Sequence, residues 1–165
     1  MKKLIIDSCS IILLAKASVL ERLTELHEMY ITNAVAEEVL AGKKKQFADA
    51  LLLERLLNEK KIKSIPYPKE MGEKIMSDYN MGKGEASIIT VGFIQKEIII
   101  VTDNLQGRKV AKVFGLPLVG SIECIVSLYK NKKITKEKAK ESLGILKKEG
   151  WFQSYLIDDA EEDLT

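Results

Sequence analysis

Two apolar runs in this chain of 165 residues each end in an aspartate. Residues 4–6 are followed by Asp7, and residues 98–102 are followed by Asp103. Continuous apolar runs of this kind are typical of strands buried on both faces of a parallel sheet. A carboxylate at the exit of a buried strand is costly in free energy unless a negative charge is needed there. Because ligands bind outside the carboxyl ends of such strands, the two runs predict a functional site at that edge.

Short strands and helices alternate along the rest of the chain. Further strands are predicted at residues 29–31, 62–65 and 118–119. Helices are predicted at residues 10–26 with a break near Ser18, from a cap at Thr32 or Asn33 to residue 41, and at residues 47–57, 69–79, 85–95, 105–114, 121–130 and 135–148. Residues 82–84 are predicted to form a loop. The alternation predicts an α/β fold, a three-layer α/β/α sandwich with a mainly parallel central sheet.

The composition is that of an ordinary globular protein, with 46% hydrophobic and 30% charged residues. A formal net charge of +2 neither requires nor excludes a nucleic-acid partner. Only two cysteines occur, Cys9 and Cys124, which excludes a disulfide framework and a metal finger, so we expect reduced, buried thiols. No apolar stretch approaches the ~20 residues that span a bilayer, and no signal-peptide pattern is present, so we expect a cytoplasmic protein without membrane contact.

The two strand-end aspartates are expected to meet at one place if their strands are neighbours. Adjacent strands lie about 5 Å apart. Carboxylates at that spacing raise each other's pKa unless a cation lies between them. Asp7 and Asp103 therefore predict a divalent metal site with hard oxygen ligands. The alternative for Asp7 is a capping role for the helix that follows it.

Two glutamates extend this acidic group as candidates. Glu38 lies at the edge of the apolar face that Val35 and Val39 form on one helix, and its alternative is a solvated helix glutamate. Glu85 opens a helix directly after Gly84, and its alternative is a first-turn acid that the helix dipole stabilises. The residues alone leave both alternatives open.

Four motifs follow one another in a specific order. They are a strand that ends in Asp-Ser, a Val-Ala-Glu-Glu-Val helix, a Gly-Lys-Gly-Glu-Ala-Ser segment, and a strand that ends in Thr-Asp-Asn before Gly-Arg and Ala. In this order they resemble the PIN domain, a metal-dependent ribonuclease fold common among bacterial and archaeal toxins. The resemblance runs from residue 3 to about residue 150. We therefore predict a PIN-like nuclease domain at residues 1–150 and a C-terminal segment at residues 151–165.

The resemblance implies that Asp7, Glu38, Glu85 and Asp103 line one acidic pocket. It further implies that this pocket binds Mg²⁺ or Mn²⁺ and hydrolyses RNA phosphodiesters, which makes the chain an endoribonuclease. The cation would activate water and offset the charge on the phosphate, so no histidine is required, and His27 is expected at the surface. Proteins of this kind are often toxins neutralised by a small antitoxin, and they are commonly homodimers. The implied partners are therefore RNA, an antitoxin and a second copy.

Four polar residues are candidates for supporting roles. Ser8 could bind a metal-bound water or a phosphate, or cap a helix, and Ser121 follows a strand at the same edge. Arg108 could pair with an acid of the site or with a substrate phosphate, or form a surface ion pair. Asn104 stands where many relatives carry a second aspartate. It could still hold a metal-bound water, but it removes one charge, so weaker metal affinity is expected.

The C-terminal segment combines apolar and acidic residues. Its apolar part is expected to dock on the body of the protein or at a dimer interface, and it comprises Trp151, Phe152, Tyr155, Leu156 and Ile157. Residues 158–163 are acidic and are predicted to form a solvated tail.

Three other functions stay open from the sequence. The first is a housekeeping nuclease of RNA processing, which gene neighbourhood would distinguish from a toxin. The second is a catalytically weak PIN-like module that binds RNA or protein, and Asn104 is the feature that favours it. The third is a phosphatase or receiver-like domain, which the absence of the expected lysine at a later strand end disfavours.

Overall fold

The computed structural model describes residues 1–45, 47–150 and 152–165. Within these residues, five parallel strands form one sheet in the order β3-β2-β1-β4-β5. The strands are β1 (Lys3–Ile6), β2 (Glu28–Thr32), β3 (Ile62–Ile65), β4 (Ile99–Val101) and β5 (Leu118–Val119). The sequence predicted all five strands, and β1 takes the central position.

The two apolar runs lie side by side as β1 and β4. Ile6 pairs in register with Val101, and both side chains are completely buried. Burial on both faces explains why these strands read as unbroken apolar runs rather than as alternating patterns. Because paired residues end the two strands, Asp7 and Asp103 leave the sheet at the same edge.

Helices connect the strands. They are α1 (Ser8–Lys16), α2 (Leu20–Leu26), α3 (Asn33–Leu40), α4 (Ala48–Asn58), α5 (Lys69–Tyr79), α6 (Lys83–Ile94), α7 (Leu105–Val113), α8 (Ser121–Lys130), α9 (Lys136–Glu149) and α10 (Ser154–Glu162), and a 3-10 helix spans Ala41–Lys45. In the described ranges, no helix has both the length and the apolar content that crossing a membrane requires.

The helices cover the sheet in two groups, which confirms the predicted three-layer α/β/α architecture. Helix α6 contacts β1, β2 and β4 and packs beside α5 and α7. Helix α1 packs against α2, α8 and α9. One continuous apolar core joins these layers, and it places the carboxyl edge of β1 and β4 between the first turns of α1, α6 and α8.

The first predicted helix is interrupted near Ser18, as expected. Ser18 has a φ of 59°, a left-handed conformation that separates α1 from α2. Helix α1 begins two residues earlier than predicted, at Ser8, because the Asp7 side chain accepts a hydrogen bond from the Ser10 backbone N–H and caps the helix. Helices α5 and α8 have the bounds that the sequence predicted.

The loop predicted at residues 82–84 was wrong for Lys83 and Gly84, which are helical, whereas Gly82 lies outside the helix. Helix α6 begins at Lys83, with Gly82 as its N-cap. The local sequence conceals this start because glycine provides no capping side chain. The stabilising contact comes from elsewhere in the chain, since the Glu38 carboxylate accepts a hydrogen bond from the Gly84 N–H.

The C-terminal acidic residues do not form a tail either. They lie on α10 and at its C-cap, Asp163, and α10 packs against α8 and α9. Its residues Ile157 and Ala160 are buried, as is Leu164 just after the helix. These three residues are spaced like one face of a helix, and the acidic residues between them are exposed. In the predicted docking segment, Phe152 packs against the core, whereas Tyr155 and Leu156 are exposed. Trp151 lies outside the described residues.

Candidate metal centre

Asp7 lies at the junction of β1 and α1 and is only 2% exposed. Its Oδ1 accepts a hydrogen bond from the Ser10 N–H at 2.8 Å, and its Oδ2 accepts one from the Thr102 hydroxyl. Burial raises the pKa of Asp7 from 3.8 to about 6, although these hydrogen bonds oppose the rise. The nearby charge of Asp103 adds a small further increase. Asp7 therefore caps a helix, as the alternative for it predicted, and also presents a carboxylate whose charge is costly to bury.

Asp103 follows β4 and is held by three hydrogen-bond donors. Its Oδ1 accepts a bond from the Ser121 N–H at 2.9 Å, and the Ser121 hydroxyl donates to its Oδ2. The Ser10 hydroxyl donates to the same Oδ2 at 2.7 Å. Ser121 thus occupies the position at the carboxyl edge that the sequence predicted.

Ser10 connects the two aspartates directly. It is completely buried, and it donates its backbone N–H to Asp7 and its hydroxyl to Asp103. Sequence reasoning missed the parts that Ser10 and Thr102 play, because small hydroxyl residues carry no periodic pattern. The only available signal was position, since Ser10 follows Asp7 by three residues, the spacing of a helix cap.

Gly120 allows the loop after β5 to approach Asp103 closely. A Cβ atom at this position would lie 2.7 Å from Asp103 Oδ1 and 3.1 Å from Arg108 Nη1. Arg108 donates to the Thr102 carbonyl at 3.0 Å and forms an ion pair with Glu123 at 3.9 Å. Glu123 in turn accepts the Gly120 N–H at 3.1 Å. Glu123 is an exposed residue outside the predicted site, so this pair matches the surface ion pair among the alternatives for Arg108. Through Thr102 and Glu123, Arg108 holds the ends of β4 and β5 together.

Glu38 lies on α3 and is exposed, and both of its carboxylate oxygens accept hydrogen bonds. Oε1 accepts the Gly84 N–H at 2.9 Å, and the Ser8 hydroxyl donates to Oε2. Ser8 thus contacts a carboxylate of the predicted set. The metal-binding role predicted for Glu38 stays a prediction.

Glu85 lies in the first turn of α6 and is partly buried. Glu85 follows Gly84, whose N–H donates to the Glu38 carboxylate that Ser8 also contacts, so the first turn of α6 lies beside the turn that carries Asp7. The metal-binding role predicted for Glu85 stays a prediction.

Partial burial of the thiol, and then the charges of Asp7, Asp103 and Glu85, raise the pKa of Cys9 to about 11. The expectation of two buried thiols was wrong for Cys9, which is exposed, and right for Cys124.

Asn104 forms a helix cap. Its Oδ1 accepts the Gly107 N–H at 2.9 Å at the start of α7. Asparagine performs this function as well as aspartate does, so the residue fits its place in the fold. Its predicted contact with a metal-bound water stays a prediction.

The donor chemistry fits a hard divalent cation. Asp7 and Asp103 provide carboxylate oxygens at one edge, linked by Ser10. Within the described residues, no group of three or more His, Cys, Asp or Glu side chains is placed to hold a metal ion. Mg²⁺ commonly binds through one or two carboxylates and completes its coordination with waters and substrate phosphates. The aspartate pair matches that mode rather than a cage made only of protein ligands.

Comparison with known proteins identifies the family. No curated protein matches the sequence. A family model described as a PIN domain matches residues 3–159, which is nearly the whole chain. PIN domains are generally nucleases that use divalent metal ions. With a parallel sheet that brings two strand-end aspartates together and a family match over almost its full length, this chain belongs to the PIN-domain family.

Proposed function

We propose that this chain is an Mg²⁺- or Mn²⁺-dependent endoribonuclease. Asp7 and Asp103 would hold the cation, and Glu85 of α6 is the proposed third carboxylate. The observation that carries the proposal is the junction of β1 and β4, where Ser10 hydrogen-bonds both aspartates. Membership of a family of nucleases supports the reaction class.

The residues of the site would divide the work as follows. The bound cation supplies the Lewis acidity that activates water and offsets negative charge on the phosphate. Asp7 and Asp103 provide the negative charge that retains it. Ser10, Thr102 and Ser121 fix the two carboxylates by hydrogen bonds, so that their oxygens do not rearrange during the reaction.

Cleavage of a panel of RNAs tests this function. Single-stranded and structured RNAs are incubated with the wild type and with Asp7→Asn, in Mg²⁺, Mn²⁺ or EDTA. We expect cleavage that requires a metal and that Asp7→Asn abolishes. Asp78→Asn serves as the control, because Asp78 is an exposed helix residue that pairs with Lys74 at 3.5 Å. Equal cleavage by wild type and Asp7→Asn would contradict the proposal.

A second candidate is a module that binds RNA or protein without cutting it. Two observations favour it, namely the two-carboxylate site and the neutral Asn104, whose side chain is used as a helix cap. The same panel distinguishes the candidates. RNA that is retained on the wild type but never cleaved in any metal would favour the binding module.

We further propose that the nuclease is the toxin of a toxin–antitoxin pair, with a small antitoxin and a second copy of the chain as partners. Only the family resemblance supports this part. Growth arrest on expression, relieved by the product of a neighbouring gene, is the expected result. Harmless expression, or a neighbourhood of RNA-processing genes, would favour the housekeeping alternative. Sedimentation of the purified protein measures whether it dimerises.

A further inference from the structure

The geometry points to a positioning role for Glu38. We infer that its carboxylate caps α6 from outside that helix and thereby fixes the turn that carries Glu85. This inference rests on the proposed function for its consequence, the retention of the metal. Its structural part, the cap, can be tested without any metal.

Helix α6 has no side-chain cap of its own. Its N-cap residue is Gly82, which makes no side-chain hydrogen bond, so the first backbone N–H groups need another acceptor. The Gly84 N–H, at the second helical position, donates to Glu38 Oε1 at 2.9 Å. This is one of the N–H groups that an N-cap side chain normally satisfies. A carboxylate there also interacts favourably with the positive end of the helix dipole.

The second oxygen of Glu38 links a third helix to the same point. The Ser8 hydroxyl, in the first turn of α1, donates to Oε2. Ser8 directly follows Asp7, so the Glu38 carboxylate joins the start of the aspartate-bearing turn to the start of α6. Both oxygens therefore have a structural use that depends on hydrogen-bond acceptance and not on metal binding.

The backbone at residue 84 is shaped for this carboxylate. A Cβ atom on Gly84 would lie 2.5 Å from Glu38 Oε1 and 2.8 Å from Cδ. Any larger residue would push the carboxylate away from the helix. The close approach explains why a glycine follows Lys83 inside a helix, where glycine is otherwise unfavourable.

Glu85 comes next in the chain, at the third helical position of α6. The Gly84 N–H and the Ser8 hydroxyl contact the same Glu38 carboxylate, and Ser8 follows Asp7. The start of α6 therefore determines where Glu85 lies relative to the turn that carries Asp7. If the cap is lost, the first turn of α6 frays and Glu85 moves with it. Glu38 thus acts on the site through Glu85.

The cap is tested by nuclear magnetic resonance in EDTA. We expect Glu38→Ala to shift the Gly84 amide proton resonance and to speed its exchange with solvent. Glu38→Gln should preserve both values, because the amide oxygen still accepts the Gly84 N–H and the amide nitrogen can donate to Ser8. Glu37→Ala is the matched control, since Glu37 is exposed and lies 4.0 Å from Lys83. An unchanged Gly84 amide in Glu38→Ala would overturn the inference.

Gly84→Ala provides an independent disturbance of the same contact. It keeps the Glu38 carboxylate but displaces it, so its effect on the first turn of α6 should resemble that of Glu38→Ala. Gly144→Ala is the control, because a Cβ there meets no atom within 4 Å. If the Glu85 amide resonance is the same in Gly84→Ala as in the wild type, that result would count against the inference.

The action through Glu85 is tested by Mn²⁺ binding in a titration calorimeter. We expect Glu38→Ala to weaken affinity by about 10- to 100-fold, as loss of a supporting residue commonly does, and Glu38→Gln to retain most of it. In a Glu85→Ala background, Glu38→Ala should have little further effect. The inference is overturned if Glu38→Gln and Glu38→Ala lose Mn²⁺ affinity equally and the loss persists in the Glu85→Ala background. Glu38 would then be a metal ligand. If the wild type binds no Mn²⁺, the proposed function fails, and the Gly84 amide alone decides the cap.

Discussion

The candidate site has two halves that are built differently. Asp7 and Asp103 extend from neighbouring buried strands and are held by hydroxyl groups, and Asp7 is almost completely buried. Glu38 and Glu85 lie on helices. Glu38 is exposed and is held by a helix N-terminus, and Glu85 is partly buried. The sheet fixes the first pair, and for Asp7 it does so at a cost in charge burial. The position of the second pair depends on the first turn of one helix, which Glu38 contacts.

The comparison predicts that removing the charge of Asp7 abolishes activity and stabilises the fold. Asp7→Asn removes a carboxylate that is costly to bury, while the amide oxygen can still accept the Ser10 N–H. A pKa raised from 3.8 to about 6 corresponds to at most about 3 kcal/mol in the free energy of unfolding at neutral pH. Urea unfolding in EDTA measures the gain, and RNA cleavage measures the loss. A less stable Asp7→Asn variant would contradict the buried-charge account.

The pH dependence of Asp7 has a definite sign. Between pH 3.8 and about 6, the folded state retains a proton on Asp7 that the unfolded state has released. The contribution of Asp7 to stability is therefore complete below pH 3.8 and is lost as the pH rises to about 6. Across this window, the free energy of unfolding should change with pH at different slopes in the wild type and in Asp7→Asn. Parallel slopes would count against the raised pKa.

Gly120→Ala is expected to have the next largest effect. The new Cβ would lie 2.7 Å from Asp103 Oδ1, so the carboxylate must move away from Ser121. The backbone of Gly120 is extended, with a φ of −114°, and the strain is thus purely steric. A displacement of a reacting group by a fraction of an ångström can reduce the rate of cleavage by 10-fold or more, up to about 100-fold for 1 Å. The control variant Gly144→Ala should cleave RNA at the wild-type rate.

Ser10→Ala measures the connection between the aspartates. It removes the donor to Asp103 Oδ2 and leaves the backbone cap on Asp7 intact. We expect about 1 kcal/mol less stability and roughly 10- to 100-fold weaker Mn²⁺ binding. Ser142→Ala is the control, because Ser142 is also buried and donates to the Ala17 carbonyl at 2.9 Å. If both variants bind Mn²⁺ equally well, the bridge has no role in metal retention.

His27 should give the smallest effect, with the opposite sign to Asp7. It precedes β2 at the other edge of the sheet, and its Nδ1 is buried without a hydrogen-bond partner among the described residues. Burial, and then the charges of Lys2 and the N-terminus, lower its pKa below 6.5. Stability from His27 is therefore present above pH 6.5 and is lost as the pH falls through the lowered pKa. Between pH 7.5 and 6, the free energy of unfolding should change less with pH in His27→Leu than in the wild type.

The aspartate half of the site could be predicted from the sequence. Unbroken apolar runs indicate central parallel strands, and the ends of neighbouring strands share an edge, so Asp7 and Asp103 follow from the pattern alone. The hydroxyl groups that hold them could not be predicted, because their partners lie up to 95 positions away in the chain. His27 was expected at the surface, and only the packing shows that its ring is partly buried.

The helical half shows where local patterns fail. The start of α6 is set by Glu38, 46 positions earlier in the chain, and glycines at residues 82 and 84 therefore resembled a loop. Helix α10 was missed for another reason, since its acidic residues conceal the helical spacing of Ile157, Ala160 and Leu164. In both cases, a tertiary contact stabilises a helix that composition alone disfavours.

The hydrogen bonds around the aspartates have a consequence for the thermodynamics of cation binding. Asp7 and Asp103 are already restrained by Ser10, Thr102 and Ser121 in the protein alone. Their rotamer entropy is lost when the chain folds and not when a cation arrives, because the site is preorganised. Binding should therefore depend mainly on the dehydration of the ion and on displacement of the proton that the raised pKa of Asp7 favours. Proton release measured in buffers of different ionisation enthalpy would then increase as the pH is lowered toward 6.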